Sequence, residues 1–295
     1  MMAIRNKILS MLLVTSFLMI GGLSMATRSF ADAIIPYSVI GTNEYNQPVG
    51  FDKPINLLVS YNVWSNITDY HGEDGENYDA LLSVNKFARL FTIDGLENWG
   101  FAWEGVVSFG GLGFENGDSL SGLIDPATGM VAWTKPIPSW TLCFEYWLHL
   151  PWGSNELSDG SVNHTLTMMN NHQLFDGKFV IDWDFGYKMR GDGRKLGYKY
   201  EYGNSLFTNW VFTYKHNPWV NPNIHFDWES GGSGKNKSAD TDLASYDRMQ
   251  LGIGNSMKIT DRLWFDIWYS YGIDGRNIAR TNNVYGSSHG SVLLS

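Results

Sequence analysis

Acidic, basic and imidazole side chains recur at every second position in several segments of this chain. Glu145 and His149 lie within 140–150, and Asp182 and Asp184 alternate with large apolar residues within 179–190. Side chains two positions apart in an extended chain lie on the same face, so these groups share one face of their strand. Such a face can contact polar solutes or pair its own charges. The candidate residues are Glu104, Glu145, His149, Asp182, Asp184, Lys188, Arg190, His225, Asp227, Glu229, Asp266 and Trp268.

A serine-hydrolase pattern, G-x-S-x-G, occurs at 286–290 around Ser288. A nucleophile in this pattern needs a strand before it and a helix after it, whereas here it lies in a Gly/Ser-rich stretch. The histidines do not show metal-ligand spacing, and His164 and His172 are eight positions apart. We therefore expect no catalytic residue, no metal and no cofactor.

The segment that best shows the underlying element runs from Trp140 to Leu150. Large apolar residues alternate there with Thr141, Cys143, Glu145, Trp147 and His149, which is the period of a β-strand. Ordinary strands have about five or six residues, whereas a tilted strand needs about 9–11 to cross a bilayer. The segment 179–190 alternates equally well. Both segments predict membrane-crossing strands.

Connections between such segments alternate between long, Gly-rich loops and short turns. Counted along the chain, they predict about twelve strands, with a bulge near Lys86 and a final loop from Asp274 to Gly290. Sorting of long and short connections is typical of outer-membrane barrels. The predicted fold is all-β: a transmembrane, up-and-down antiparallel β-barrel of about 12 strands.

One face of each strand must contact lipid and cannot carry unpaired charge, which costs about 2–4 kcal/mol at mid-bilayer. We therefore expect the apolar rows to face lipid, including the row of Ile55, Leu57, Val59, Tyr61 and Val63 and the row that begins at Tyr78. The candidate residues then line the lumen. They form either a polar pathway that prefers neutral or cationic solutes, or charge pairs that fill a narrow barrel.

The beginning of the chain predicts export. Arg5 and Lys7 precede an apolar run, and small residues follow around Ala33, so residues 1–33 are expected to be a cleaved signal peptide. Residues 34–53 are expected to form an N-terminal periplasmic segment, which could plug the lumen, and residues 54–295 the barrel. The formal net charge of −9 disfavours nucleic acid as a partner. Cys143 is the single cysteine, so no intramolecular disulfide can form.

Three short motifs resemble a known family: Pro48–Phe51, Ser121–Pro126 and Leu150–Gly153. They are similar to motifs of the phenol-degradation meta-pathway (MetA-pathway) family of outer-membrane transporters. The resemblance implies a barrel in the outer membrane of a Gram-negative bacterium that admits small hydrophobic or aromatic solutes by passive diffusion. It implies contacts with outer-membrane lipid, a small-molecule solute and the outer-membrane assembly machinery, and no catalytic residues. The sequence departs from the usual aromatic end of such barrels, ending in Leu293-Leu294-Ser295, which leaves closure of the barrel open.

Two other functions fit parts of the pattern. A secreted or periplasmic β-sandwich could bind carbohydrate through exposed tryptophans, and an outer-membrane barrel lipase could use Ser288. The strands from Trp140 and Phe179 are longer than sandwich strands usually are, which favours the barrel.

Overall fold

The computed structural model describes residues 45–70, 77–114, 117–195, 197–260 and 263–292. Residues 1–33, where the signal peptide is predicted, lie outside the described residues, as do residues 34–44 of the predicted periplasmic segment. Twelve strands form a closed antiparallel barrel, and four short strands form a separate sheet. No helix among the described residues is long and apolar enough to cross a membrane.

The barrel follows the chain in an up-and-down order, so each strand pairs with its neighbours in sequence and the first pairs with the last. This confirms the predicted fold class. The barrel strands are β1 (Ile55–Tyr70), β2 (Tyr78–Phe91), β3 (Trp99–Phe114), β4 (Ser119–Ile137), β5 (Trp140–His149), β6 (Asn163–Leu174), β7 (Phe179–Arg190), β10 (Ser205–Tyr214), β11 (Asn221–Gly231), β14 (Tyr246–Thr260), β15 (Leu263–Arg276) and β16 (Ala279–Val292).

The remaining four strands extend two connections at one end of the barrel. They are β8 (Asp192–Lys195), β9 (Tyr198–Glu201), β12 (Gly234–Asn236) and β13 (Thr241–Leu243), and β9 pairs with β12. We call this the outer end, and the opposite end, with the turns at 138–139 and 175–178, the periplasmic end, as in outer-membrane barrels. Two outer connections are short, at 115–118 and 277–278, so the predicted sorting of loops holds only in part.

The predicted final loop, Asp274 to Gly290, is wrong. Most of it belongs to β16, which pairs with β15 on one side and with β1 on the other, from Asn56 opposite Val292 to Tyr70 opposite Ala279. Its Gly, Ser and Asn content suggested a loop, but pairing with two neighbouring strands satisfies its backbone groups and outweighs that propensity. This pairing also answers the question of closure, because the barrel has no open edge.

Burial alternates along the strands as the period of two requires. In β5, Thr141, Cys143, Glu145, Trp147 and His149 are buried, and the intervening side chains are half-buried or exposed. In a closed barrel the buried row faces the interior. The predicted apolar outward row is therefore correct for β5.

The predicted facing is wrong for β1 and β2. Val59, Tyr61 and Val63 are buried in the interior, and so is the row of β2 that begins at Tyr78. The predicted bulge near Lys86 is absent, because β2 pairs with both neighbours in unbroken register through this residue. Lys86 simply continues the inward row, where its ammonium lies 3.8 Å from Glu104.

Interior glycines let large rings lie flat against the wall of the neighbouring strand. Gly100 pairs with Trp133, Gly129 with Trp147, and Gly186 with Phe207. A Cβ atom at Gly186 would lie 2.0 Å from the Phe207 ring, and one at Gly129 would lie 2.7 Å from the Trp147 ring. These pairs allow a twelve-stranded barrel to hold bulky aromatic residues without voids.

We expect Gly186→Ala to destabilise the barrel, because the new methyl group must displace the buried Phe207 ring. Overpacking of this kind costs about 1–3 kcal/mol. Urea unfolding in lipid vesicles, followed by tryptophan fluorescence, measures the loss. Gly286→Ala is the matched control, since a Cβ at Gly286 meets no atom within 4 Å. Equal free energies of unfolding for the two variants would contradict this packing role.

Candidate functional site: the barrel interior and its two ends

The structure places all twelve candidate residues on the inward rows of their strands. Nine are buried, and Lys188, Arg190 and Asp227 are half-buried. They come from seven strands: β3, β5, β7, β11 and β15 carry the predicted residues, while β2 and β14 add the basic residues Lys86 and Arg248. The interior is therefore a shared polar and aromatic core rather than one local site.

The buried acids of β7 are held by amide side chains of the neighbouring strands. Asn171 Nδ2 donates to Asp182 Oδ1 at 2.7 Å, and the backbone N and side-chain Nδ2 of Asn209 each donate to Asp184 Oδ1 at 2.9 Å. Hydrogen bonds to the ionised form stabilise a buried carboxylate. On β15, Asp266 accepts from Ser256 and, at 3.2 Å, from Ser287.

Other interior charges form ion pairs. Arg248 lies 2.7 Å from Glu229, and Tyr246 donates to the same carboxylate at 2.7 Å. Sequence reasoning missed Arg248, Lys86, Asn171 and Asn209. Their roles depend on which residues face each other across strands, and a single strand's pattern does not contain that register. The pairing supports the hypothesis that charges are compensated within a narrow barrel.

Three aromatic rings form a continuous stack in the interior. The rings of His225 and Trp268 are 4.8 Å apart and within 4° of parallel, and those of Trp268 and Tyr285 are 4.6 Å apart and within 5°. Gly254, on the intervening strand β14, makes room for Trp268, since a Cβ there would lie 2.4 Å from the Trp268 Cβ. The stack gives one side of the interior a flat, uncharged surface.

The N-terminal segment that precedes β1 enters the barrel at the periplasmic end. Trp133 Nε1 donates to the carbonyl of Pro48 at 2.8 Å, and Lys135 Nζ donates to Asn46 Oδ1 at 2.6 Å. Phe51 packs edge-on against the Trp133 ring, with the ring centroids 6.1 Å apart. We call residues 45–51 the inner segment.

Tyr45 is the deepest contact described in the inner segment and is only 6% exposed. Its hydroxyl donates to Asp184 Oδ2 at 3.4 Å, and its carbonyl lies 3.9 Å from the thiol sulfur of Cys143. The inner segment thus covers β4, β5 and β7 from inside. It belongs to the core, in contact with Cys143, Met169 and Val211.

The outer end is covered by the connection between β5 and β6. Leu157 from this loop is 3% exposed and packs against the interior cluster that contains Trp147. Asp125 holds the loop by accepting from the backbone N–H groups of Gly153 at 2.9 Å and Asp159 at 3.1 Å. Leu150 N donates to Pro126 O at 2.9 Å. Two of the motifs that carried the family resemblance, Ser121–Pro126 and Leu150–Gly153, therefore bind each other.

A cavity of about 380 Å³ lies at the periplasmic end, across the barrel from the inner segment. Lys215, Lys258 and Trp264 line it together with Asn221 and Ser256. Partial burial of Lys215, in the turn after β10, lowers the pKa of its ammonium from the usual range. The cavity is thus a weakly basic opening beside an aromatic ring.

Comparison with known proteins now bears on this closed barrel. The family model described as "Putative MetA-pathway of phenol degradation" matches residues 61–286. This chain belongs to that family. The COG4313 outer membrane channel from Pseudomonas putida F1 has a TM-score of 0.74 with it, at 13% identity over 86% of this chain and 100% of the channel. No curated protein sequence matches the chain.

A second solved structure shows how widely the fold extends. The transport unit of the autotransporter AIDA-I from Escherichia coli has a TM-score of 0.53, at 11% identity over 92% of this chain and 99% of that unit. At such identities the likeness establishes the fold alone. The chain is a β-barrel of the outer-membrane type.

The hydrolase pattern at 286–290 lies within β16, where Gly286, Ser287 and Ser288 pair with β1 and β15. It is not followed by a helix, so it lacks the sharp strand-to-helix turn that exposes a nucleophile. Among the residues that the structure describes, no group of three His, Cys, Asp or Glu side chains is arranged to bind a metal ion.

We expect Cys143 to report on the position of the inner segment, because the thiol is 3% exposed and lies beneath Tyr45. A membrane-impermeant maleimide should label the folded wild-type protein slowly, and Tyr45→Gly should raise the labelling rate at least several-fold. Tyr198→Gly, in β9 far from this contact, is the control and should leave the rate unchanged. Mass spectrometry of the intact protein measures the rate. Equal rates in all three proteins would show that Tyr45 does not cover the thiol.

Proposed function

We propose that this protein is an outer-membrane channel that admits small hydrophobic or aromatic solutes by passive diffusion, and that the inner segment opens and closes it. The observation that carries the proposal is the docking of residues 45–51 inside a barrel that is otherwise complete. Every barrel strand is paired on both sides without this segment. It therefore occupies the path without being part of the wall.

The contacts of the inner segment suit reversible docking. Its described hydrogen bonds are those from Trp133, Lys135 and Tyr45, a weak one from the Cys143 thiol, and one from Phe51 N to Thr92 Oγ1 at 2.7 Å. Each contributes about 0.5–1.5 kcal/mol net. Displacement of the segment breaks these bonds and leaves the strand ladders intact, so it costs far less than opening the wall.

The preference for aromatic solutes rests on the chemistry of the interior. The stack of His225, Trp268 and Tyr285 offers ring faces, and stacked aromatic contacts are worth about 0.5–1.5 kcal/mol beyond the area they bury. The interior acids are already paired with amides, hydroxyls or Arg248, so a solute gains little by supplying a charge. The family's link to phenol degradation and the similarity to a channel support the same solute class.

This proposal extends to the surroundings of the barrel. The membrane is the outer membrane of a Gram-negative bacterium, the wall contacts its lipid, and the assembly machinery inserts the chain. The proposed activity is transport and not catalysis. The alternative lipase has little support, since the strand geometry around Ser288 does not match a nucleophile turn. The alternative soluble sandwich is excluded by the closed barrel.

Uptake by cells that lack the protein, with and without a plasmid-borne copy, tests the solute class. Lipopolysaccharide makes the outer membrane a barrier to hydrophobic compounds, so the wild-type copy should raise the initial uptake of toluene several-fold and leave uptake of a pentose unchanged. Tyr45→Gly should raise both, because it loosens the inner segment. Tyr198→Gly, the control, should match wild type. An increase in pentose uptake without an increase in toluene uptake would contradict the proposed solute class.

A further inference from the structure

The wall formed by β16, β1 and β2 presents its side chains in the opposite sense to the rest of the barrel. Its apolar row faces inward, with Val59, Tyr61 and Val63 buried. Its outward row contains small polar residues instead, among them Ser60 and Asn62. This inversion is why the expectation of an outward apolar row failed for these strands.

The outward polar residues of the three strands form two adjacent rows across the wall. Ser288, Ser60 and Asn85 are opposite one another in register, and Gly286, Asn62 and Ser83 form the next row on the same face. We call these six residues the polar patch. Ser60 Oγ donates to Asn85 Oδ1 at 3.1 Å, and Asn85 Nδ2 donates to Ser83 Oγ at 3.4 Å.

Asn62 is the exposed centre of the polar patch. Its amide has no hydrogen-bond partner among the described residues, although the neighbouring Ser60, Ser83 and Asn85 bond to one another. An unsatisfied amide in hydrocarbon costs several kcal/mol, because no water is available there to pair with it. Facing lipid, Asn62 would be strongly unfavourable.

The polar patch lies within the membrane-facing part of the wall. Asn62 is the eighth of the 16 residues of β1. On the same face, Leu58 is 54% exposed toward the periplasmic end and Trp64 is 44% exposed toward the outer end. The charged outward residues of β2, Asp79 and Arg89, lie near the two ends of that strand.

The outward rows on either side of the polar patch are apolar. On β15, Ile267, Tyr269 and Tyr271 are exposed, and on β3, Trp103 and Phe109 are exposed. Such rows are suited to lipid. A polar island surrounded by apolar side chains, in the middle of a bilayer-facing wall, is the expected composition of a contact with another protein.

We propose that the polar patch is the contact between two copies of this chain, related by a two-fold axis along the membrane normal. All copies insert in the same orientation, so such an axis brings a patch against itself at the same height. Ser and Asn side chains both donate and accept hydrogen bonds, so an uncharged patch of this kind complements itself. Gly286, whose Cβ would meet no atom within 4 Å, leaves room for close approach.

Disulfide cross-linking in native outer membranes tests this pairing and is independent of the solute. The background is Cys143→Ser, into which Asn62→Cys is introduced. Oxidation should convert most of this variant into a covalent dimer. Ile253→Cys is the matched control, because Ile253 is 66% exposed on the outward face of β14, away from the polar patch. Equal dimer yields in both variants, or none with Asn62→Cys, would overturn the proposal, as would an adduct of Asn62→Cys with a different protein.

A second measurement does not depend on cross-linking. Wild-type protein in lipid nanodiscs should have the mass of a dimer by native mass spectrometry. Asn62→Leu combined with Ser83→Leu should yield monomers, with the barrel still folded as judged by its shifted gel mobility before boiling. A wild-type monomer, or a leucine variant that remains dimeric, would overturn the proposal.

Discussion

The constraint on which the rest of this structure depends is that a bilayer cannot hydrogen-bond to a protein backbone. Every N–H and C=O of the wall must therefore find a partner within the chain, and twelve antiparallel strands do so only when the last pairs with the first. The pairing of β1 with β16 completes the ladder and explains why a segment as rich in Gly, Ser and Asn as 279–292 is extended. Once the ladder is closed, alternate side chains have no choice but to fill the interior.

A twelve-stranded barrel leaves a small interior, and this chain fills it from three directions. Polar side chains from the wall pair with one another, as in the Asn171–Asp182 and Arg248–Glu229 contacts. Leu157 descends from the outer loop, and Tyr45 enters from the periplasmic end. The wall is held by continuous ladders and the two covers by a few side-chain contacts each. Motion that admits a solute is therefore expected at the covers, with the strands unmoved.

The sequence predicted the fold well where one face of a strand is polar and the other is not. β5 and β7 are correct in extent and facing because alternation there is nearly strict. β1 and β2 were assigned the wrong facing because their apolar rows pack inside against Leu157 and Trp147. Which of two rows faces lipid depends on what fills the barrel, and local alternation does not contain that information.

The same limit applies to the candidate site. Single-strand patterns identified the inward acids, including Asp182, Asp184 and Asp266, but not their partners, since strand register and loop insertion bring those together. The inner segment was expected only as a possible plug, and its contacts with Trp133 and Cys143 join residues about 85 and 98 positions apart. The motifs of the resemblance proved informative for a physical reason, because two of them form the contact that holds the outer loop.

The central claim is that residues 45–51 close the channel. Tyr45→Cys places a second thiol beside native Cys143, so that a short bifunctional thiol reagent can tether the segment inside the barrel. Planar-bilayer recordings of this variant should show frequent opening before treatment and lasting closure afterwards. Treated wild-type protein, with Cys143 alone, should be unaffected. Unchanged conductance in the tethered variant would contradict the claim, because solutes would then pass a barrel whose inner segment had not moved.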